Sequence, residues 1–220
     1  MKTKILIIIA IFTTYLFWLV IFRVFVSKNI FYVFMLWNLF LALIPVLITQ
    51  IYYLLNLKTK TKKITTFLFF WIFLLFFPNI TYVVTDLMHL PEWYRSFPVW
   101  YDNILLFSFA FFAILLSYFS LNYWHKLVYK KYWKIKSWGF ITFILLISSY
   151  GVFLWRYIRL NSWEILSNPW SLIENIYNTF FMTKMYFFSL NFFIMTLVTY
   201  SILYILLEFS ILKNEKNNTI

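Results

Sequence analysis

The sequence has no cysteine, two glycines and two histidines in 220 residues, and its seven acidic residues face nineteen lysines and arginines. Without cysteine there can be no disulfide, no thiolate metal centre and no cysteine nucleophile. Two histidines exclude a three-histidine metal site within one chain. Two glycines, with no GxxxG, exclude close helix packing over small residues as the organising theme. Charged residues make up 12% of the chain, about half the roughly 25% of a soluble domain.

What is present is apolar. Hydrophobic residues reach 64% and aromatics 26%. A soluble fold of this size could not hide so much apolar surface from water, whereas lipid can. A membrane-crossing helix needs about 20 mostly apolar residues. Six such runs occur, at 5–26, 30–55, 64–84, 103–124, 137–157 and 184–207. They leave no room for a separate soluble domain, so residues 1–220 read as a single transmembrane domain. The expected fold is all-α, a polytopic membrane helix bundle of about six spans. Two lysines precede the first run, as in a signal peptide. The run is too long for one and no small-residue cleavage site follows, so it reads as an uncleaved anchor. The third run is the least regular. Residues 64–77 make about 21 Å of helix, too short to cross, so Pro78 must either kink the span or end it.

The charges set the orientation. With the N-terminus cytoplasmic, thirteen lysines fall inside and six basic residues fall outside. The positive-inside rule therefore puts both termini in the cytoplasm. The inner lysines read as a topology and anionic-lipid signal rather than a nucleic-acid site. Asp86, Glu92, Asp102, Glu164 and Glu174 all fall outside, among arginines, His89 and many Trp and Tyr. Topogenesis does not explain that mixture. Arg23 and Lys184 read as snorkelling to the interface, and His125 as an inner-interface residue with no visible partner.

Depth supports a site on the outer side. Asn38 lies about 12 Å below the outer end of its span, Asn79 about 8 Å and Asn191 about 10 Å, with Ser108, Ser148 and Ser149 at a similar level. Amides in hydrocarbon are costly, so these must face protein or water. They read either as interhelical hydrogen bonds or as the floor of an outward-opening cavity. Pro45 and Pro78 each remove a backbone donor, as in broken helices that line sites.

Three outer segments carry the rim. Asp86 and His89 are spaced i, i+3, as are Arg156 and Arg159, and on a helix each pair shares a face. Asn161 and Glu164 have capping-box-like spacing, and Asn168-Pro169 resembles the start of a short interfacial helix. The strings WNLFLALIP (37–45), FFPNITYVVTDLMHL (76–90), VWYD (99–102) and GVFLWRYIRLNSWE (151–164) resemble the motif blocks of an uncharacterised family of predicted bacterial integral membrane proteins, a domain-of-unknown-function family. The resemblance covers roughly residues 30–170. It implies a multi-pass protein of the bacterial cytoplasmic membrane and implies no activity.

Several readings of the rim remain open. It could be a set of salt bridges stapling outer loops. In an enzyme, Arg156, Arg159 and Asn161, with Asn38 and Asn79, would bind an anionic lipid or lipid-linked substrate, and His89 would be a general base oriented by Asp86 or Asp102. In a small transporter the polar layer would be the substrate site. An accessory or immunity-type subunit would use it to bind another membrane protein, and a homo-oligomer fits as well. No cofactor is implied. A metal on Asp86, His89 and Asp102 is disfavoured by the neighbouring arginines. A reporter fused at Pro98 is expected to signal from outside the cytoplasm; a cytoplasmic signal there would reverse the topology.

Overall fold

The computed structural model describes residues 3–58, 62–89, 98–159, 167 and 169–217. Among them every regular element is a helix, without strands. The α-helices are α1 (Thr3–Ser27), α2 (Phe34–Lys58), α3 (Lys63–Tyr82), α4 (Val99–Lys131), α5 (Lys134–Phe153), α6 (Pro169–Thr179) and α7 (Thr183–Asn217). Two 3-10 segments, Phe31–Val33 and Val83–His89, and a π turn at Leu154–Ile158 extend them. Among the described residues six stretches are long and apolar enough to cross a membrane: Ile5–Ser27, Phe31–Asn56, Lys63–His89, Val99–Lys131, Lys134–Ile158 and Thr183–Leu207. The chain is a multi-pass membrane protein. It packs as two compact units, residues 1–120 and 121–220, and the division falls inside the continuous helix α4 rather than at a linker.

Hydrocarbon supplies no hydrogen-bond partners, so a spanning backbone must pair with itself, and a helix does so within one segment. Polar residues then mark where helices stop. Ser27 Oγ donates to the Arg23 carbonyl at 2.6 Å. Lys28 turns left-handed, φ 54°, with its N–H on the Val24 carbonyl at 2.9 Å. Asn29 Oδ1 accepts the Phe31 N–H at 2.8 Å. These three residues form the turn between the first two spans. Proline does not stop α3. The helix runs through Pro78 to Tyr82, then tightens into the 3-10 segment up to His89. Asn79 Nδ2 donates to the Phe76 carbonyl at 3.0 Å and Thr81 Oγ1 to the Pro78 carbonyl at 3.2 Å, so side chains supply hydrogen bonds around the missing donor. Thr49 Oγ1 meets the Pro45 carbonyl in α2 in the same way, at 2.9 Å.

Most hydroxyls in the spans bond back to their own helix, including Thr14 to Ala10, Ser120 to Leu116, Ser149 to Leu145 and Ser201 to Leu197. The local carbonyl is always within reach, and it satisfies the hydroxyl at little cost in ordering. Asn191 follows the same rule. It is exposed on α7 and donates to the Phe187 carbonyl at 2.7 Å, so it does not reach inward to a polar layer as its depth suggested. Bonds between helices are fewer. Tyr52 of α2 meets Thr66 of α3 at 2.9 Å. In the second unit an aromatic ladder of Phe153, Tyr157, Phe188 and Phe192 joins α5 and its π turn to α7. Replacing Tyr52 by Phe should cost about 0.6 kcal/mol, the usual value of an interhelical bond in lipid, read by denaturant unfolding in micelles.

Candidate functional site

In the first unit, the buried charges Asp86 and Arg23 each meet a polar partner. The Asp86 carboxylate is buried, about 1% exposed, and Asn38 of α2 donates to its Oδ2 at 2.8 Å. Asp86 and His89 lie one turn apart in the 3-10 segment, where positions i and i+3 eclipse. They therefore share the face that their spacing predicts. The His89 ring meets the edges of Phe34 and Phe31, with centroids at 5.3 and 6.1 Å.

Asp102 has a different partner from any expected. Arg23 of α1 reaches it with two bonds, Nε to Oδ1 at 2.7 Å and Nη2 to Oδ2 at 3.2 Å. Arg23 is about 1% exposed, and its guanidinium stands 5.5 Å from the centre of the Tyr32 ring. The expectation that Arg23 snorkels to the interface is therefore corrected. The acid at the start of α4 holds the guanidinium inside, where a forked pair offsets the desolvation of both charges. Tyr101 adds a second tie between the same helices by donating to the Leu19 carbonyl at 2.9 Å. Arg23 thus engages both carboxylate oxygens of Asp102, whereas Asp86 shares a face of the 3-10 segment with His89. No three acidic or histidine side chains among the described residues are placed to hold a metal ion. Asn79 is about 2% exposed and its Oδ1 is buried with no hydrogen-bond partner.

The second unit holds Arg156 and Arg159. Arg156 is half-buried in the π turn, and Arg159 follows it, exposed and left-handed at φ 62°. The Arg159 N–H closes the turn on the Leu154 carbonyl. The regular α-helical face on which these two would stand at i, i+3 does not form, because the helix widens and then ends between them. Lys184, at the start of α7, sits with its ammonium 4.1 Å from the centre of the Tyr157 ring. Lys184 therefore packs on the π turn that carries Arg156 and precedes Arg159. Asn161, like Glu92, Arg95, Trp163 and Glu164, lies outside the described residues.

His125 also requires correction. It is buried, with Nδ1 2.8 Å from the Tyr200 hydroxyl and Nε2 3.2 Å from Ser137 Oγ. Its ring meets the edge of Trp138 and lies against Tyr204. Helices α4, α5 and α7 converge there, so each ring nitrogen finds a hydroxyl. No local pattern in the sequence pairs residues so far apart. The nearest available signals were the Ser137-Trp138 doublet and the Tyr200/Tyr204 spacing.

A family model for proteins of unknown function, DUF1361, matches residues 37–199. The chain belongs to the DUF1361 family. The matched stretch contains Asn38, Asn79, Asp86, His89, Asp102, Arg156, Arg159 and Asn161, and it leaves out Arg23. No curated protein and no solved structure matches the chain. In this DUF1361 protein, Arg23→Met or Asp102→Asn alone should destabilise by about 3 kcal/mol, since each leaves a charge or its partner unpaired inside the unit. The double variant Arg23→Met/Asp102→Leu should lose much less than the sum. Unfolding of all three in micelles gives the coupling.

Proposed function

We propose that the protein resides in the bacterial cytoplasmic membrane with both termini cytoplasmic and binds an anionic lipid, or the anionic group of a lipid-linked substrate, through a polar outward-facing site. The observation that carries this reading is the end of the fifth span. A π turn, an element that recurs at functional sites, closes on a left-handed arginine, a backbone state that costs a non-glycine residue about 1–2 kcal/mol. A left-handed residue alone is a common way to end a helix, as Lys28 does after α1; the π turn before Arg159 is what favours a functional role here. It sets Arg156 half-buried and Arg159 exposed on either side of Tyr157, whose ring carries the Lys184 ammonium. Guanidinium groups suit phosphate and carboxylate because they donate in a planar fork. The level where a span leaves the hydrocarbon is where lipid headgroups carry those anions.

A small-transporter reading draws on Asn79. Its buried acceptor lacks a donor, which costs about 1–3 kcal/mol in a protein interior. A polar guest entering the first unit would supply one.

The test is native mass spectrometry of gently purified protein beside an Arg156→Gln/Arg159→Gln variant. A retained anionic lipid or small anion in the wild type, absent in the variant, is the expected outcome. Equal adducts, or none, in both would remove the anion reading.

A further inference from the structure

Between the fifth and sixth spans lies α6, the one strongly amphipathic helix among those described. At 100° per residue, Ile173, Ile176, Tyr177 and Trp170 occupy one flank, while Glu174, Asn175 and Asn178 occupy the other. Trp170 is 79% exposed, Ile173 56% and Tyr177 63%. Thr179 is fully buried and faces α5. The helix thus lies against the protein on one side, with an apolar flank and a polar flank both open.

Its depth follows from its anchor. Tyr150 of α5 donates to the Ile176 carbonyl at 3.3 Å and meets Thr179 Oγ1 at 2.7 Å. Tyr150 stands more than two turns before the end of the span at Ile158, which is about 12 Å of helix. The span has 25 residues, about 37 Å against a hydrocarbon core of about 30 Å, so only a few ångströms project at each end. A helical side chain also leans toward the N-terminus of its helix, here further from the end of the span. The C-terminal end of α6 therefore sits below the level at which α5 leaves the hydrocarbon.

The backbone of that end is built for such a place. A helix leaves its last four carbonyls without helical partners. Water would satisfy them at a surface, but hydrocarbon cannot. Here all four are met from within: Ile176 by Thr179 Oγ1 and Tyr150, Tyr177 by the Phe180 N–H, Asn178 by the Phe181 N–H and Thr179 by the Met182 N–H. The next carbonyl, that of Phe180, accepts the Tyr186 hydroxyl at 2.9 Å.

We propose that α6 and the turn after it are immersed in the leaflet at which the fifth span ends. Trp170, Ile173 and Tyr177 lie in the boundary between headgroups and acyl chains, and Tyr150 serves as the anchor that sets the depth. The partner of this face is the lipid surface. The inference rests on the six spans and is independent of the anion site, because neither Arg156 nor Arg159 takes part in it.

The natural absence of cysteine makes the test direct. Single cysteines replace Ile173, Tyr177 or Asn178 in the full chain, carry a nitroxide, and are reconstituted in phosphatidylethanolamine/phosphatidylglycerol vesicles. Power saturation compares collisions with oxygen, which partitions into lipid, and with a water-soluble nickel chelate. Oxygen should dominate at positions 173 and 177, and the chelate at 178. Adding Tyr150→Phe should raise chelate access at 173 and 177 as the anchor is lost. Chelate access equal at all three positions would overturn the proposal and make α6 a solvent-facing cover. Exclusion of both reagents at 173 and 177, with dipolar broadening between labels, would also overturn it and assign the face to a second copy of the chain.

Discussion

Hydrocarbon offers no donor and no acceptor, so a polar group carried into the membrane is costly unless it brings its partner with it. The helical character of the spans is the first consequence. The behaviour of the hydroxyls is the second: threonines and serines turn back onto the carbonyl one turn earlier, and Asn191 does the same with its amide. The prolines are the third. Pro45 and Pro78 are carried inside continuous helices, each with a neighbouring threonine hydroxyl on its carbonyl. Even the short helix α6 ends with its carbonyls met one by one.

Full charges obey the rule more strictly, because a lone ion in a dry interior costs several kcal/mol. In the first unit the answer is pairing: Arg23 with Asp102, and Asp86 with the Asn38 amide. In the second unit His125 is placed between two hydroxyls; Ser137 gives its proton to the Lys134 carbonyl, so Nε2 donates to Ser137 and Nδ1 accepts from Tyr200. Arg159 and Lys184 stay at the edge of their spans, where they remain exposed. A division of labour follows. The buried pairs hold helices at a common level, and the edge cations and the amphipathic helix meet the surroundings.

These roles separate residues that look alike in the sequence. Arg23 and Arg156 are both arginines a few residues from the C-terminal end of an apolar run, yet one is a structural cation locked on Asp102 and the other sits in a π turn. Asp86 and Asp102 were equal candidates to orient His89. Two bonds from Arg23 tie Asp102 to α1, and one turn of 3-10 helix places Asp86 on the same face as the imidazole.

The six spans, their approximate ends and the all-α class could be read from the sequence, because an apolar run of about 20 residues is a local property that lipid reads directly. The face shared by Asp86 and His89 was legible for the same reason, since three residues of spacing act within one turn. So was the start of α6 near Pro169. The partner of Asp102 was not, because Arg23 lies 79 residues away and nothing in a single chain of letters says which of several spans will stand beside another. The surroundings of His125 were hidden likewise, as three helices supply them. The π turn at Leu154–Ile158 and the depth of α6 depend on how α5, α6 and α7 close on one another. Solvent chemistry, acting residue by residue, determined what crosses the membrane; which polar groups meet inside it was decided only by the packing of helices far apart in the chain.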